Sequence, residues 1–152
     1  MPEPVITIIG GVAAIVTNVW KVSKDLHDLI NGIKNAPRHI QTVSDDLGGL
    51  YVALGALQGL LPKLDTNRVP TDLVPIFEPI FGSLQLNLEN CFHVLVETST
   101  KVGRYTKPSG GMGQNKWTAF RWQFKEKDIA ELRGQLAAYK MTVNLALATA
   151  NL

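Results

Sequence analysis

Seven apolar residues, Ile40, Val43, Leu47, Leu50, Leu54, Leu57 and Leu61, follow one another at steps of three and four without a miss. That stepping lines one face of a helix of 3.6 residues per turn and fits no strand, whose faces alternate every second residue. Pro37 and Pro62 predict its start and stop. Two further stripes repeat the pattern. One runs through Phe77, Ile80, Phe81, Leu84, Leu88, Cys91, Leu95 and Val102, starting somewhere among Thr71, Pro75 and Pro79; the other joins Ile129, Leu132, Leu136, Tyr139, Val143 and Leu147. No run of period two competes with them, so the spacing predicts an all-α fold. With 152 residues, 45% of them hydrophobic, the chain suits one domain with a sizeable core.

The reading is a bundle of four long helices and one short aromatic helix. The short one is expected over residues 117–124, where Trp117, Phe120 and Phe124 share a face and would cap the bundle end. Residues 103–116, rich in glycine, read as a loop. The joint Asn35, Ala36, Pro37 suits antiparallel neighbours.

Several function classes fall away. One cysteine, Cys91, allows neither an intramolecular disulfide nor a multi-cysteine metal site, and it fits the apolar stripe as a core residue. His27, His39 and His93 are too far apart for helical metal-ligand spacing. The glycines before Lys116 lack the strand and the Gly-Lys-Ser/Thr ending of a phosphate loop. No serine, cysteine or lysine sits beside a candidate base, so no catalytic residue, metal site or cofactor is expected, and the chain does not read as an enzyme.

The first segment is the unusual one. From Pro4 to Trp20 no residue is charged, and apolar side chains surround most of the helix. Such a helix belongs deep in a core or in lipid. Its 17 residues would span roughly 26 Å, just short of a hydrocarbon layer of about 30 Å. Gly10, Ala14 and Asn18 recur at four-residue spacing, which lets helices approach closely in membranes and in tight soluble bundles alike. Adjacent Gly10 and Gly11 each weaken a helix by about 1 kcal/mol, pointing to close approach or rearrangement there. Glu3 stands where a secretory signal carries positive charge, so a signal peptide is not expected. Residues 21–34 are ordinarily amphipathic, with Lys21–Asp25 and Lys24–Asp28 spaced as ion pairs.

The net charge of +2 hides an uneven distribution: residues 101–152 carry nine basic and three acidic residues. Arg104, Lys107, Lys116, Arg121, Lys125 and Lys127 bracket the aromatic residues Tyr105, Trp117 and Trp122. Basic and amphipathic aromatic residues together suit a lipid headgroup region, and the same ingredients occur in single-strand nucleic-acid grips and in plain solvated bundle caps.

The opening Val5 to Val16, the joint Ile33 to Ile40, the leucine-spaced second helix, Lys116-Trp117, and the run from Phe124 and Lys125 through Ile129 to Leu136 resemble the HeLo-like N-terminal domain of fungal NLR-like (STAND) receptors and related fungal cell-death proteins. The resemblance covers essentially the whole chain. It implies a bundle similar to the four-helix executioner bundle of necroptosis, forming one domain over residues 1–152 from the N-terminal part of a longer protein. It also implies a membrane-permeabilising effector that self-associates on activation and moves from cytoplasm to plasma membrane. Expected partners are anionic membrane lipids, further copies of the chain, and a regulatory receptor or amyloid-type signalling partner, with no nucleic acid. The expected membrane-insertion residues are Val5, Ile6, Ile8, Ile9, Gly10, Gly11, Val12, Ala13, Ala14, Ile15, Val16, Val19 and Trp20. The expected headgroup contacts are the six basic residues from Arg104 to Lys127 named above. A non-enzymatic adaptor bundle, its first helix fixed in the core, is the alternative.

Overall fold

A computed structural model describes residues 3–33, 38–66, 69–106 and 126–151, and among these every long element is a helix and none is a strand. The helices are α1 (Glu3–Asn31), α2 (Arg38–Thr66), α3 (Val74–Thr106) and α4 (Glu126–Ala150), with a single 3-10 turn at Thr71–Leu73 ahead of α3. The expected aromatic helix at residues 117–124 lies outside the described residues.

The predicted stripes are the core. Ile40, Val43, Leu47, Leu50, Leu54, Leu57 and Leu61 of α2 are all buried, as are Phe77, Phe81, Leu84, Leu88, Cys91, Leu95 and Val102 of α3. Ile129, Leu132, Leu136, Tyr139 and Val143 complete the set from α4. Two boundaries differ from expectation. Pro62 does not stop α2, which continues to Thr66. Pro62 lies on the exposed side of the helix, where water can meet the carbonyl it leaves unbonded, and Leu64 packs onto the core beyond it. α3 likewise runs on through Gly103 to Thr106, where a loop was expected.

The neighbours around the bundle are not in chain order. α1 packs against α2 and α3, and α4 packs against the same two; α1 and α4 lie across one diagonal, α2 and α3 across the other. α1 and α2 are antiparallel, since Thr17 meets Gln58 at one end and Asn31 meets Ser44 at the other. α3 must start at the end where α2 stops. The seven residues between Thr66 and Val74 reach at most about 25 Å, whereas α2 is about 43 Å long. This link crosses the bundle end, and its Val69 is buried there like a stopper. α4 runs beside α2 in the same direction: Arg133 Nε donates to Asp46 Oδ2 at 2.8 Å, and Lys140 reaches Gly49 further along. The molecule is thus two helical hairpins, α1–α2 and α3–α4, docked first helix to first and second to second.

Candidate functional site

The charge-free part of α1 lies in the groove between α2 and α3. Ile9, Val12, Val16 and Val19 are fully buried there, and Ala13, Ile15 and Trp20 are partly buried against the same core. Gly10 and Ala14 point outward with Thr17 and Asn18. The helix reads as apolar all round because its outer face carries small uncharged residues, while one face alone is buried. Side chains of Val5, Ile6 and Ile8 lie outside the described residues.

The two adjacent glycines do different things. A Cβ on Gly11 would stand 2.7 Å from Nε2 of Gln85, so α1 approaches α3 closely at that point. Nothing lies within 4 Å of the corresponding position on Gly10. On the other side, a Cβ on Gly55 would meet Nε1 of Trp20 at 3.4 Å, so the indole rests on the bare backbone of α2.

Polar contacts are concentrated at the far end of α1. Ser44 Oγ donates to Asn31 Oδ1 at 2.6 Å, and Asn31 Nδ2 lies 3.2 Å from Nε2 of His27. The His27 ring meets Tyr51 edge-on at 5.2 Å. His27, whose Nδ1 lies 3.4 Å from Oδ1 of the adjacent Asp28, is therefore also a helix-to-helix contact; Lys24 and Asp28 pair at 3.8 Å as their spacing predicts. In the charge-free half the one side-chain hydrogen bond to α2 runs from Gln58 Nε2 to Thr17 Oγ1 at 3.3 Å, among the described residues. Between the two regions stands Ser23, fully buried, its hydroxyl without a hydrogen-bond partner.

Of the expected headgroup residues only Lys127 has a described side chain, and it is exposed on α4. Those of Arg104, Lys107, Lys116, Arg121 and Lys125 lie outside the described residues, as do the aromatic residues bracketed with them. Cys91, read as a core residue, is buried, and burial pushes its thiol up to about 12. The neighbouring Tyr139 hydroxyl is raised by its own burial and by Cys91.

One feature escaped the sequence reading. Residues 47–62 of α2 are a second run without a charge. By length and composition α2 could cross a membrane, with a mean hydropathy of 1.2 over its most apolar stretch. Its leucines form the core, and on its outer side Val52 is 65% exposed. Met141 and Leu145 of α4 are exposed too, at 73% and 55%. Counting charges helix by helix would have found this.

These features define an all-α bundle of two crossed hairpins whose first helix is held mainly by apolar contacts. The chain belongs to the family described as pigment biosynthesis cluster protein PigL N-terminal, whose model matches residues 3–152. No curated protein and no solved structure matches it.

Proposed function

We propose that this domain is a membrane-targeting, membrane-permeabilising effector of the HeLo-like kind, acting in fungal programmed cell death, allorecognition or innate immunity. Activation would bring copies together, move them from cytoplasm to plasma membrane and expose the N-terminal apolar helix there. The observation that carries this reading is the seat of α1: a charge-free helix half held by buried aliphatic side chains, with no ion pair to another helix among the described residues. Withdrawing it into water exposes Ile9, Val12, Val16 and Val19, at about 1.5–3 kcal/mol for each large side chain. Entering hydrocarbon returns most of that, so release is tolerable only towards an apolar acceptor. The HeLo-like resemblance supports the same reading.

The action is non-enzymatic. The Cys91 thiol is buried and neutral, and the His27 ring is engaged between two helices, so neither is presented to a substrate. An adaptor bundle is the second reading, favoured by the exposed Val52, Met141 and Leu145, which offer a protein partner apolar surface. Dye release from liposomes separates the two: release from anionic vesicles, weaker from neutral ones and at high salt, is expected of the effector. Intact vesicles under all conditions would leave the adaptor.

A further inference from the structure

We propose that α1 leaves its seat only as far as Ser23: the segment before it swings out, and the segment after it stays on α2 as the hinge-side anchor. This rests on the membrane-active reading above and adds where the helix divides. Three observations carry it.

The first is Ser23 itself. The other buried hydroxyls are satisfied: Ser44 donates to Asn31, Thr98 to the carbonyl of Val94 and Thr149 to that of Leu145. Ser23, equally buried and facing the core between Val19 and Leu26, has no partner. An orphaned hydroxyl weakens the seat at that one turn, and a helix that breaks there lets it reach water. The second is the asymmetry of the polar contacts. After Ser23 the helix is tied to α2 by the part-buried Ser44–Asn31 bond at 2.6 Å and by the His27–Tyr51 ring contact, Asn31 and His27 bracing each other within α1; before it, among the described residues, Thr17 and Gln58 make one exposed bond at 3.3 Å. The third is covalent. Asn31 lies seven residues from Arg38, where α2 begins, so the anchored end is also the end joined by a short link to α2, whereas Ile9 lies at the far side.

Two cysteine pairs test this with a short bismaleimide cross-linker. Thr17→Cys with Gln58→Cys ties the proposed mobile half to α2. Asn31→Cys with Gln41→Cys, whose parent residues line one cleft, ties the anchored half and replaces the contact it removes. Cys91 stays silent because it is buried and protonated. Both uncross-linked variants must melt cooperatively and release dye. The expected result is that cross-linking the first pair reduces dye release to the leakage of untreated vesicles, while cross-linking the second leaves it unchanged. If both cross-links block release, α1 departs whole and the hinge is wrong, with the membrane reading intact. If neither blocks it, α1 stays seated, the hinge falls, and the vesicles are opened through another surface of the bundle; if only the second blocks it, the mobile end is the wrong one.

Amide exchange on the free wild-type protein gives a readout that needs no membrane. Residues 12–20 exchanging through openings that leave residues 26–31 protected supports the hinge even if no dye is released. Uniform protection across Ser23 overturns it.

Discussion

Replacing Ser23 by alanine should make this protein more stable, an unusual direction for a change at a fully buried position. The hydroxyl is 0% exposed and unpartnered, so the folded state carries its desolvation without a compensating bond. Leaving a buried polar group unsatisfied costs about 1–3 kcal/mol, and alanine removes that group while keeping the Cβ and raising helix propensity. For a domain of this size each kcal/mol shifts the melting temperature by about 2–4 °C, so Ser23→Ala should raise it by roughly 2–12 °C. Ser44→Ala supplies the opposite sign. That hydroxyl is also buried but donates to Asn31, and its loss should destabilise by about 0.5–1.5 kcal/mol. Urea unfolding followed by circular dichroism gives both values with one slope. If opening of α1 precedes permeabilisation, a seat more stable by 1 kcal/mol should slow dye release about fivefold. A fall in stability for Ser23→Ala, or equal effects from the two serines, would refute the reasoning, because Ser23 would then have found a partner.

Other consequences are as direct. Gly10→Leu and Ala14→Leu should leave the melt cooperative, since one position has nothing within 4 Å and the other is exposed, yet abolish dye release if α1 packs closely with other copies. Gly10→Ala should stabilise by up to about 1 kcal/mol and keep activity. Cys91 is raised from 9.0 to about 12, so its neutral form favours folding fully below pH 9. Between pH 9 and 12 the unfolded thiol ionises first, and stability should fall by about 1.4 kcal/mol per pH unit, measurable by denaturant titration and absent in Cys91→Ala. Charge reversal at Lys116, Arg121 and Lys125 should weaken co-sedimentation with anionic liposomes and leave the helical circular dichroism intact; equal binding to neutral liposomes would count against the headgroup assignment.

The core was legible because leucine stepping fixes both helix and inward face: each residue of the α2 stripe, from Ile40 to Leu61, is buried. The identity of neighbours was not legible, since α2–α4 and α1–α3 contacts depend on how two hairpins cross, which no local pattern encodes. Pro62 misled because a proline ends a helix only when the following turn gains nothing from continuing, and here Leu64 reaches the core. The pair Gly10 and Gly11 looked equivalent in sequence, yet they sit on opposite sides of a contact surface, one against Gln85 and one in open space. Ser23 lay within an ordinary amphipathic stretch, and its missing partner is visible only once the packing is known.

The crossed order of neighbours also governs how the chain reaches its native state. In a bundle whose consecutive helices all touch, each new helix finds its partner next to it along the chain. Here α2 and α3 are consecutive but face each other across a diagonal rather than packing side by side, and two of the four interfaces, α1–α3 and α2–α4, join segments far apart in sequence. Each hairpin alone leaves the other half of its apolar stripe uncovered, so neither is a stable folding unit in water. Stability therefore comes only when the two halves dock, and the need for these distant pairings raises contact order and slows folding relative to bundles built from adjacent pairs. Until it happens, the leucine stripe of α2 and the valines of α1 are open to any other chain at the same stage, so refolding yield should fall with protein concentration.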